Sequence, residues 1–312
     1  MSRRLGIGLF GENGHQVTED CLAHRDVRLV GVAGFREDFV PAGVKQYANL
    51  ADMLMDDEIE LISLCSSVRA AHAVACLWAG KHVYAEKPCA LSLRELDEIT
   101  AVAKETGFLF REMAGTAFEE PYLSISKIVR SGQIGEVVQV LAQKSYPYYG
   151  ERPQDEDVDG GLLLQAGIHA LRLVTHAAGQ EIIDIQAMET RLGNPVPGGK
   201  LRMAVSMQMT LANGGVASII ANYLNQRGYG AWGNDHLRIF GDKGFIESTD
   251  GGRRTRLVVG DKDFGAVQTR GDVPTYFDML VEAALGRGKM PLSSEEELRP
   301  LRAALLAKMN CK

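Results

Sequence analysis

A glycine-containing segment directly follows the first apolar run of the chain. It reads Gly11-Glu12-Asn13-Gly14-His15-Gln16 and comes after Leu5 to Phe10, which has the composition of a buried strand. Dinucleotide-binding loops carry the pattern GxGxxG here, and its glycines let the backbone approach a pyrophosphate at the next helix N-terminus. Only the first glycine is in place, although Asn13 tolerates a left-handed backbone. The segment favours a pyrophosphate site before a helix that begins near Asn13, with an ordinary tight turn as the alternative. Its candidate cofactor contacts are Gly11, Asn13, Gly14 and His15.

The end of the second predicted strand bears on which dinucleotide binds. This strand, Arg28 to Ala33, is followed by Gly34-Phe35-Arg36-Glu37. An NAD enzyme presents an acidic residue here to the adenosine ribose, whereas an arginine pairs with the additional phosphate of NADP. Glycine stands at the acidic position and Arg36 lies two residues later, so the sequence favours NADP over NAD as the cofactor. The alternative is that Arg36 is a solvated loop residue and that Glu37 contacts the ribose.

Two further candidate positions lie at the ends of predicted strands. Glu86-Lys87-Pro88 follows one buried strand, and Ser66 and His72 follow another. The carboxyl ends of parallel strands form the ligand-binding edge of a sheet. A lysine that is partly desolvated beside a cofactor has a lowered pKa and can accept a proton. Lys87 stands at this edge, where it either meets a ligand or is a surface lysine in a turn. His72 either contacts the cofactor or only begins a helix.

Polar residues recur along one predicted helix in the second half of the chain. The helix begins near Gly161, and Gln165, His169, Arg172 and His176 are spaced 0, 4, 7 and 11 along it. This spacing places them on one face of an α-helix. The face is either solvated or meets a substrate.

A loop before this helix is rich in aromatic residues. Tyr146, Tyr149 and Arg152 lie in it, between a predicted strand and the helix. The loop could cover a ligand pocket, and the alternative is an exposed aromatic loop at a domain junction.

Strands and helices alternate regularly in the first 115 residues. The predicted strands are Leu5 to Phe10, Arg28 to Ala33, Glu60 to Cys65, His82 to Ala85 and Phe108 to Arg111. Helices are predicted between them at Leu50 to Met55, Ala70 to Ala79 and Ser92 to Thr106. This alternation predicts an α/β fold whose N-terminal domain is a doubly wound parallel sheet of the Rossmann type.

The second half of the chain shows a different pattern of predicted strands. Longer alternating strands are predicted at Ile182 to Arg191, Arg202 to Ala212 and Val216 to Tyr223, and Asn213-Gly214-Gly215 between the last two indicates a hairpin. This pattern predicts a C-terminal α+β domain with a mostly antiparallel sheet. We expect domains at residues 1–115 and 116–312, with closing helices (Tyr276 to Leu285 and Ser294 to Lys308) that can pack back on the first.

Composition excludes several classes of protein. The 312 residues carry a net charge of −6, with 46% hydrophobic and 24% charged residues, so disorder and a nucleic-acid partner are both disfavoured. The five cysteines form no CxxC pair, so no metal site is predicted, and their usage suits a reducing compartment. The N-terminus lacks a signal-peptide pattern, and no apolar stretch reaches membrane-spanning length. We expect a cytoplasmic protein that acts on a small molecule and has no membrane partner.

The segment from Ala79 to Pro88, AGKHVYAEKP, resembles the AGKHVxxEKP hallmark of the glucose–fructose oxidoreductase / inositol dehydrogenase / rhizopine-catabolism (Gfo/Idh/MocA) family. The resemblance extends over nearly the whole chain and includes Gly132 to Val137, Gly160-Gly161 and Ile239 to Gly244. It implies a dehydrogenase that transfers a hydride between NAD or NADP and a sugar, polyol or related hydroxy or keto compound. In that family the lysine of EKP is catalytic and contacts the nicotinamide ribose and the substrate hydroxyl, which implies this role for Lys87.

The family's pattern on the long helix is GGxxxDxGxH, and this chain departs from it at one position. Gln165 stands where the family has aspartate, while His169 matches. A glutamine can hold a substrate hydroxyl but cannot take its proton, so Lys87 and His169 remain the candidate acid–base residues. The departure indicates either an altered specificity or a cofactor-binding sensor that has lost turnover. A lyase or hydrolase that uses bound NAD for transient oxidation shares the fold. The implied substrate-binding residues are Gln165, Arg172, Tyr149 and Arg152, and the implied cofactor-binding residues include Ser66, His72, Glu86 and Lys87.

The resemblance also implies an oligomer. In the family, the outward face of the second domain's sheet commonly packs against a partner subunit. Met203, Val205, Met207 and Met209 alternate along one predicted strand and form an apolar row that a monomer would expose unless a helix covers it. We expect a homodimer or homotetramer through this face.

Overall fold

The computed structural model describes residues 3–113, 115–150, 152–269, 271 and 273–311. The chain divides into two compact units. The first comprises Met1–Ala114 and Pro274–Glu297, and the second comprises Gly115–Val273 and Leu298–Lys312. The segment Pro274–Glu297 therefore belongs to the N-terminal unit, although nearly 160 residues of the second unit precede it in the chain.

The first unit is built on a six-stranded parallel sheet. Its strands are β1 (Leu5–Phe10), β2 (Val27–Ala33), β3 (Lys45–Tyr47), β4 (Leu61–Leu64), β5 (His82–Ala85) and β6 (Phe110–Glu112), and its first helices are α1 (Thr18–Ala23), α2 (Leu50–Leu54), α3 (Arg69–Trp78) and α4 (Leu93–Thr106). The strand order β3-β2-β1-β4-β5-β6 changes direction between β1 and β4, and the predicted doubly wound fold is confirmed. Strands β1 and β4 are buried along nearly their whole length, as their apolar sequences require.

Two elements of this unit differ from the sequence predictions. Helix α1 begins at Thr18 rather than near Asn13 and is only six residues long. The side chain of Gln16 donates to the Gly11 carbonyl at 3.0 Å and accepts from the Val17 N–H at 3.1 Å, which replaces helical bonds at this point. Strand β3 was not predicted, because its sequence Lys-Gln-Tyr carries no apolar alternation and only its pairing with β2 makes it a strand.

The second unit contains an eight-stranded mixed sheet. Its elements are α5 (Tyr122–Arg130), β7 (Val137–Ser145), α6 (Ile168–Arg172), β8 (Ile182–Thr190), β9 (Ala204–Leu211), β10 (Val216–Asn222), β11 (Asn234–Gly241), β12 (Gly244–Thr249), β13 (Arg254–Val259) and β14 (Lys262–Gly265). The strand order is β14-β13-β12-β11-β7-β10-β9-β8, and only β7 and β10 pair in parallel. The predicted antiparallel character and the hairpin between β9 and β10 are confirmed, with Gly214 at φ +86° in the turn.

Helix α6 continues into wider turns at both ends. The segments Leu163–Gly167 and Leu173–Ala177 are π-helical, so the 3.6-residue period assumed for the polar stripe holds only in the central turn. The helix packs on β7 and β10. It covers the apolar row of β9, because a Cβ on Gly167 would lie 3.4 Å from Cε of Met207.

This packing corrects the predicted interface. Met203, Val205, Met207 and Met209 are at most 4% exposed. The prediction that this row meets a partner subunit is wrong, because a helix of the same unit already buries it. The opposite face of the sheet carries the exposed apolar side chains, which include Val138, Leu141, Val216 and Ile220.

Two helices close the chain, α7 (Tyr276–Ala284) and α8 (Ser294–Met309). Glu297 of α8 is buried in the first unit and accepts hydrogen bonds from Nη1 of Arg111 at 3.1 Å and from the Glu112 N–H at 2.7 Å. The hydroxyl of Tyr276 in α7 donates to the same carboxylate. Among the helices of the described residues, none has the length and apolar character needed to cross a bilayer.

Candidate functional site

The glycine loop packs tightly at the carboxyl end of β1. The Gly11 N–H donates to the Ala33 carbonyl at 2.9 Å, and the Asn13 N–H donates to the Cys65 carbonyl at 2.7 Å. Gly11 has φ +82°, and a Cβ there would lie 2.6 Å from the Cys65 carbonyl oxygen. A side chain is therefore excluded at Gly11 by both the backbone conformation and the contact. At Gly11 the loop therefore has no side chain between the ends of β2 and β4.

Glu86 connects this loop to the segment after β5. Its Oε2 accepts a hydrogen bond from the His15 N–H and lies 2.9 Å from the His15 Nδ1, while its Oε1 accepts from the Lys87 N–H at 2.8 Å. Gly14 sits directly above it, because a Cβ on Gly14 would come within 2.4 Å of the Glu86 Cγ. One buried carboxylate thus fixes both the glycine loop and the Lys87 segment.

The charge state of this pair follows from its surroundings. Burial alone would raise the pKa of Glu86, but the hydrogen bond from His15 and the charge of Lys87 lower it to about 2. The hydrogen bond to Glu86 raises the pKa of His15, whose side chain is 89% exposed. Glu86 is therefore an anion at neutral pH, and it favours the cationic form of His15 at the surface of the loop.

Lys87 is half-buried in an otherwise buried segment that is held by neighbouring side chains. The Cys89 N–H donates to Oε1 of Glu112 at 2.9 Å. Arg69 donates to the Asn13 carbonyl at 2.9 Å and to the Pro88 carbonyl at 3.4 Å, so it bridges the glycine loop and the Lys87 segment. Arg69 and Glu112 were not among the predicted site residues. Both lie near the carboxyl ends of predicted strands, and this position is the one signal in the sequence that points to them.

Ser66 and His72 lie together beyond the end of β4. The Ser66 Oγ is 2.8 Å from the His72 Nδ1, and the His72 ring meets the Phe10 ring edge-on at 5.0 Å. Burial lowers the pKa of His72, so its ring is neutral at physiological pH. The structure thus brings every cofactor-binding candidate to the carboxyl edge of the parallel sheet.

Arg36, at the end of β2, belongs to the same edge. Its backbone N–H donates to the Glu12 Oε2 at 2.9 Å, and its Nε lies 3.6 Å from that oxygen. The guanidinium stacks over the Phe39 ring at 4.1 Å. Glu12 was not a candidate in the sequence, because it reaches Arg36 across the sheet rather than along the chain.

The second unit holds the remaining candidates, on and around α6. Gln165 donates from Nε2 to the Asp159 carbonyl at 2.8 Å, and the His169 ring meets the Tyr146 ring edge-on at 5.9 Å. These two residues are half-buried, whereas Arg172 is 1% and His176 3% exposed. A solvated face is therefore excluded as the explanation of the polar stripe.

The aromatic loop before this helix is packed rather than loose. The Arg152 guanidinium lies 4.2 Å from the centre of the Tyr149 ring and 3.8 Å from that of Tyr223. Trp232, which the sequence analysis did not single out, contacts the rings of Tyr146 and Tyr149 at about 6 Å. The loop presents a rigid aromatic surface next to His169.

Two family models match the chain along the boundaries that this architecture shows. Residues 5–112 match the oxidoreductase family with an NAD-binding Rossmann fold, and residues 122–247 match the GFO/IDH/MocA C-terminal domain. The chain belongs to the Gfo/Idh/MocA oxidoreductase family. The expected family membership is thereby confirmed, and the protein is an oxidoreductase of that family.

Individual relatives within the Gfo/Idh/MocA family are distant. The chain is 25% identical to myo-inositol 2-dehydrogenase of Thermotoga maritima over 83% of this chain and 78% of that protein. It is 27% identical to the uncharacterized oxidoreductase YrbE of Bacillus subtilis, over 68% of this chain and 62% of that protein. Among solved structures, a putative oxidoreductase from Thermotoga maritima superposes with a TM-score of 0.86 at 24% identity, covering 98% of this chain and 97% of that one. At this identity the superposition shows the fold alone.

Proposed function

We propose that this protein is a dehydrogenase or reductase that moves a hydride between a nicotinamide dinucleotide and a carbon bearing a hydroxyl group. The observation that carries the proposal is the double role of Glu86. Its carboxylate accepts hydrogen bonds from the backbone N–H of His15 in the glycine loop and from the backbone N–H of Lys87. A dinucleotide loop and a lysine are thus held by one carboxylate at the ligand-binding edge of the sheet. The named activity of the Thermotoga relative supports a sugar, a polyol or a related compound as substrate.

The residues present fit a dinucleotide. Gly11 leaves the loop without a side chain where the backbone approaches β4, and Gly14 does the same above Glu86. Gly11, Asn13, Gly14 and His15 would hold the pyrophosphate, and Ser66 and His72 would contact the cofactor beyond β4. When bound, the nicotinamide ring accepts the hydride or returns it.

The chain's own side chains manage the proton. Lys87 takes the proton of the substrate hydroxyl during oxidation and returns it during reduction, because an alkoxide-like oxygen releases hydride more readily. His169 donates a hydrogen bond to the substrate oxygen, and its ring orientation is fixed by Tyr146. Tyr149 and Arg152 complete the predicted substrate-binding set, whereas Arg172, at 1% exposure, is too buried to contact a substrate directly.

Gln165 sets this protein apart from the family pattern. Its amide nitrogen donates to the Asp159 carbonyl, which fixes the orientation of the amide group. A fixed amide can orient a substrate hydroxyl but cannot accept its proton. We therefore infer a specificity that differs from that of ordinary polyol dehydrogenases. The same residue is the observation that favours the second candidate function, a cofactor-binding sensor without turnover.

One experiment separates these functions. Thermal unfolding is followed with NAD(H) and with NADP(H), because a ligand that binds only the folded state raises the melting temperature. A panel of sugars and polyols is then assayed through the nicotinamide absorbance. The proposal expects a shift with at least one dinucleotide and turnover of at least one hydroxy compound. A shift without any turnover supports the sensor, and no shift at millimolar dinucleotide contradicts cofactor binding altogether.

We further infer a homodimer through the open face of the eight-stranded sheet; a homotetramer would use this contact together with a second surface. The open face of the eight-stranded sheet carries Leu141 and Ile220 at 38% and 42% exposure, beside His236 and Arg238. These side chains surround a shallow depression on the face opposite the buried methionine row. An apolar centre with a polar rim is typical of a surface that buries against a second copy.

A further inference from the structure

The end of β2 lacks a carboxylate of its own. Gly34 occupies the position at which an NAD enzyme presents an acidic side chain, and its φ of +68° suits glycine. A Cβ built on Gly34 would lie 3.6 Å from the Cα of Gly11, so the first glycine of the loop and the end of β2 are in direct proximity. The residue after Gly11 is Glu12. A carboxylate therefore reaches this region from the neighbouring strand.

Glu12 is held there by a backbone contact. Its Oε2 accepts from the Arg36 N–H at 2.9 Å, and its side chain is only 24% exposed. This bond does not depend on the Arg36 side chain, so the carboxylate keeps its place when the guanidinium moves. The Arg36 Nε lies 3.6 Å from the same oxygen, and the guanidinium rests on Phe39.

This arrangement bears on which dinucleotide is accepted. The carboxyl end of β2 is where the adenosine ribose binds in this fold. A carboxylate accepts a hydrogen bond from the ribose 2′-hydroxyl, whereas it repels a 2′-phosphate. The prediction of NADP from the sequence assumed that the Arg36 guanidinium is available to a phosphate. In the structure the Arg36 side chain is 73% exposed, but its Nε lies 3.6 Å from the Glu12 carboxylate, so a phosphate at this edge would also meet an anion.

We propose that Glu12 is the residue that selects NAD(H) over NADP(H), by accepting the ribose 2′-hydroxyl and by repelling a 2′-phosphate. This inference rests on the proposed nicotinamide-dependent function. The sequence indicated that Arg36 determines which dinucleotide binds, by pairing with a 2′-phosphate. The inference assigns that selection to Glu12, and Arg36 holds the selecting carboxylate through its backbone N–H.

The test measures dissociation constants of NAD and NADP by isothermal titration calorimetry, without substrate. The variants are Glu12→Gln, Glu37→Gln, Arg36→Ala and the double variant of Glu12 and Arg36. Glu37→Gln is the matched control, because Glu37 is an exposed acidic residue near the end of β2 and the one that the sequence offered as an alternative ribose contact. Circular dichroism melting of each variant establishes that it is folded.

Four results are expected from the proposal. The wild type binds NAD more tightly than NADP, and Glu12→Gln lowers that preference by about tenfold or more, as loss of a hydrogen bond to a charged group predicts. Glu37→Gln leaves the preference within about twofold. Arg36→Ala alone changes the ratio of the two dissociation constants little. In the double variant it removes the gain in NADP affinity that Glu12→Gln produces, and a double-mutant cycle detects this coupling.

Other results overturn the inference in distinguishable ways. If both dinucleotides bind and Glu12→Gln leaves their ratio unchanged, Glu12 does not select the cofactor and the proposed function stands. A change of the ratio in Glu37→Gln instead assigns the ribose contact to Glu37. If Glu12→Gln does not fold, the wild-type dissociation constants still test the inference. A wild type that binds NADP more tightly than NAD rejects it. If the folded wild type binds neither dinucleotide, the proposed function fails together with it.

Discussion

Glu86 and His15 share two contacts, since one carboxylate oxygen accepts the His15 N–H and lies 2.9 Å from the ring Nδ1. This pair ties the glycine loop to the segment that carries Lys87. Its strength depends on the carboxylate being ionised, and the depressed pKa of about 2 ensures that it is. The contact therefore gives the loop a pH-dependent anchor.

The first prediction follows from the direction of that pKa shift. A carboxyl group whose pKa is lower in the folded than in the unfolded state stabilises the fold above its unfolded pKa, about 4.3. That stability is lost as the pH falls towards about 2. Glu86→Gln should therefore flatten the loss of unfolding free energy between these pH values, as measured by urea unfolding at a series of pH values. An identical acid profile in the variant and the wild type would contradict the assignment.

The second prediction concerns the base. Lys87→Ala should reduce turnover by ~10²–10⁴-fold, the contribution of a positioned acid–base group, while dinucleotide affinity changes little. Steady-state kinetics on a confirmed substrate and calorimetry with the cofactor measure the two effects. The exposed lysine of α4 gives a matched control, Lys104→Ala, which should behave as wild type. Full turnover in Lys87→Ala would contradict the assignment of Lys87 as the base and would leave His169 as the candidate.

The third prediction reverses the departure from the family pattern. Gln165→Asp places a carboxylate four residues before His169, on the same helix. If Gln165 reflects an altered specificity, this change should lower kcat/KM on the native substrate and raise it on ordinary polyols. The comparison is made on one substrate panel for both proteins. A wild type that is inactive throughout, together with an active variant, would instead indicate a sensor that has lost turnover.

The fourth prediction tests the inferred homodimer. Ile220→Lys places a charge on the open face of the eight-stranded sheet, where it would be buried without a partner in a dimer. Light scattering should therefore show a shift from dimer to monomer. Leu192→Lys, at a position that is 84% exposed in the loop after β8, is the control and should leave the mass unchanged. A wild type that is monomeric at working concentration rejects the inference at once.

The fifth prediction concerns the buried ion pair of the first unit. Burial raises the pKa of Glu297 to about 7, so this carboxyl group can take up a proton when its cation is removed. Arg111→Met should therefore destabilise the protein by about 1–3 kcal/mol, the cost of leaving a buried polar group without one of its hydrogen-bond partners. Replacing both residues by apolar ones, Arg111→Met with Glu297→Leu, should recover part of that loss. Chemical denaturation measures both. A single variant as stable as the wild type would show that the pair contributes little.

The sequence was a reliable guide where one local pattern determines structure. The apolar runs of β1 and β4 and the Asn-Gly turn after β9 each specify their own conformation, so the fold class followed from them. The start of α1 was missed because Gln16 bonds to backbone groups of its own loop, and the burial of Met207 was missed because a strand's sequence does not say which face a helix will cover.

The candidate site shows the same division. Glu86 and Lys87 were identified because they are adjacent in a recognisable motif. Arg69, Glu112 and Glu12 were not, because each acts on a segment at least 19 residues away in the chain. Hydrogen bonds between the ends of different strands depend on strand order, which no local pattern of residues specifies.

The return of the chain to the first unit has a consequence for biosynthesis. Arg111 is made early, yet its partner Glu297, and Tyr276 which donates to the same carboxylate, leave the ribosome only after residues 115–273 have been synthesised. The N-terminal unit therefore cannot reach its final packing while it is the only part of the chain outside the ribosome. A fragment that ends near residue 113 would expose β6 and the uncompensated guanidinium of Arg111, and it should be captured by chaperones or aggregate rather than fold as an independent dinucleotide-binding domain.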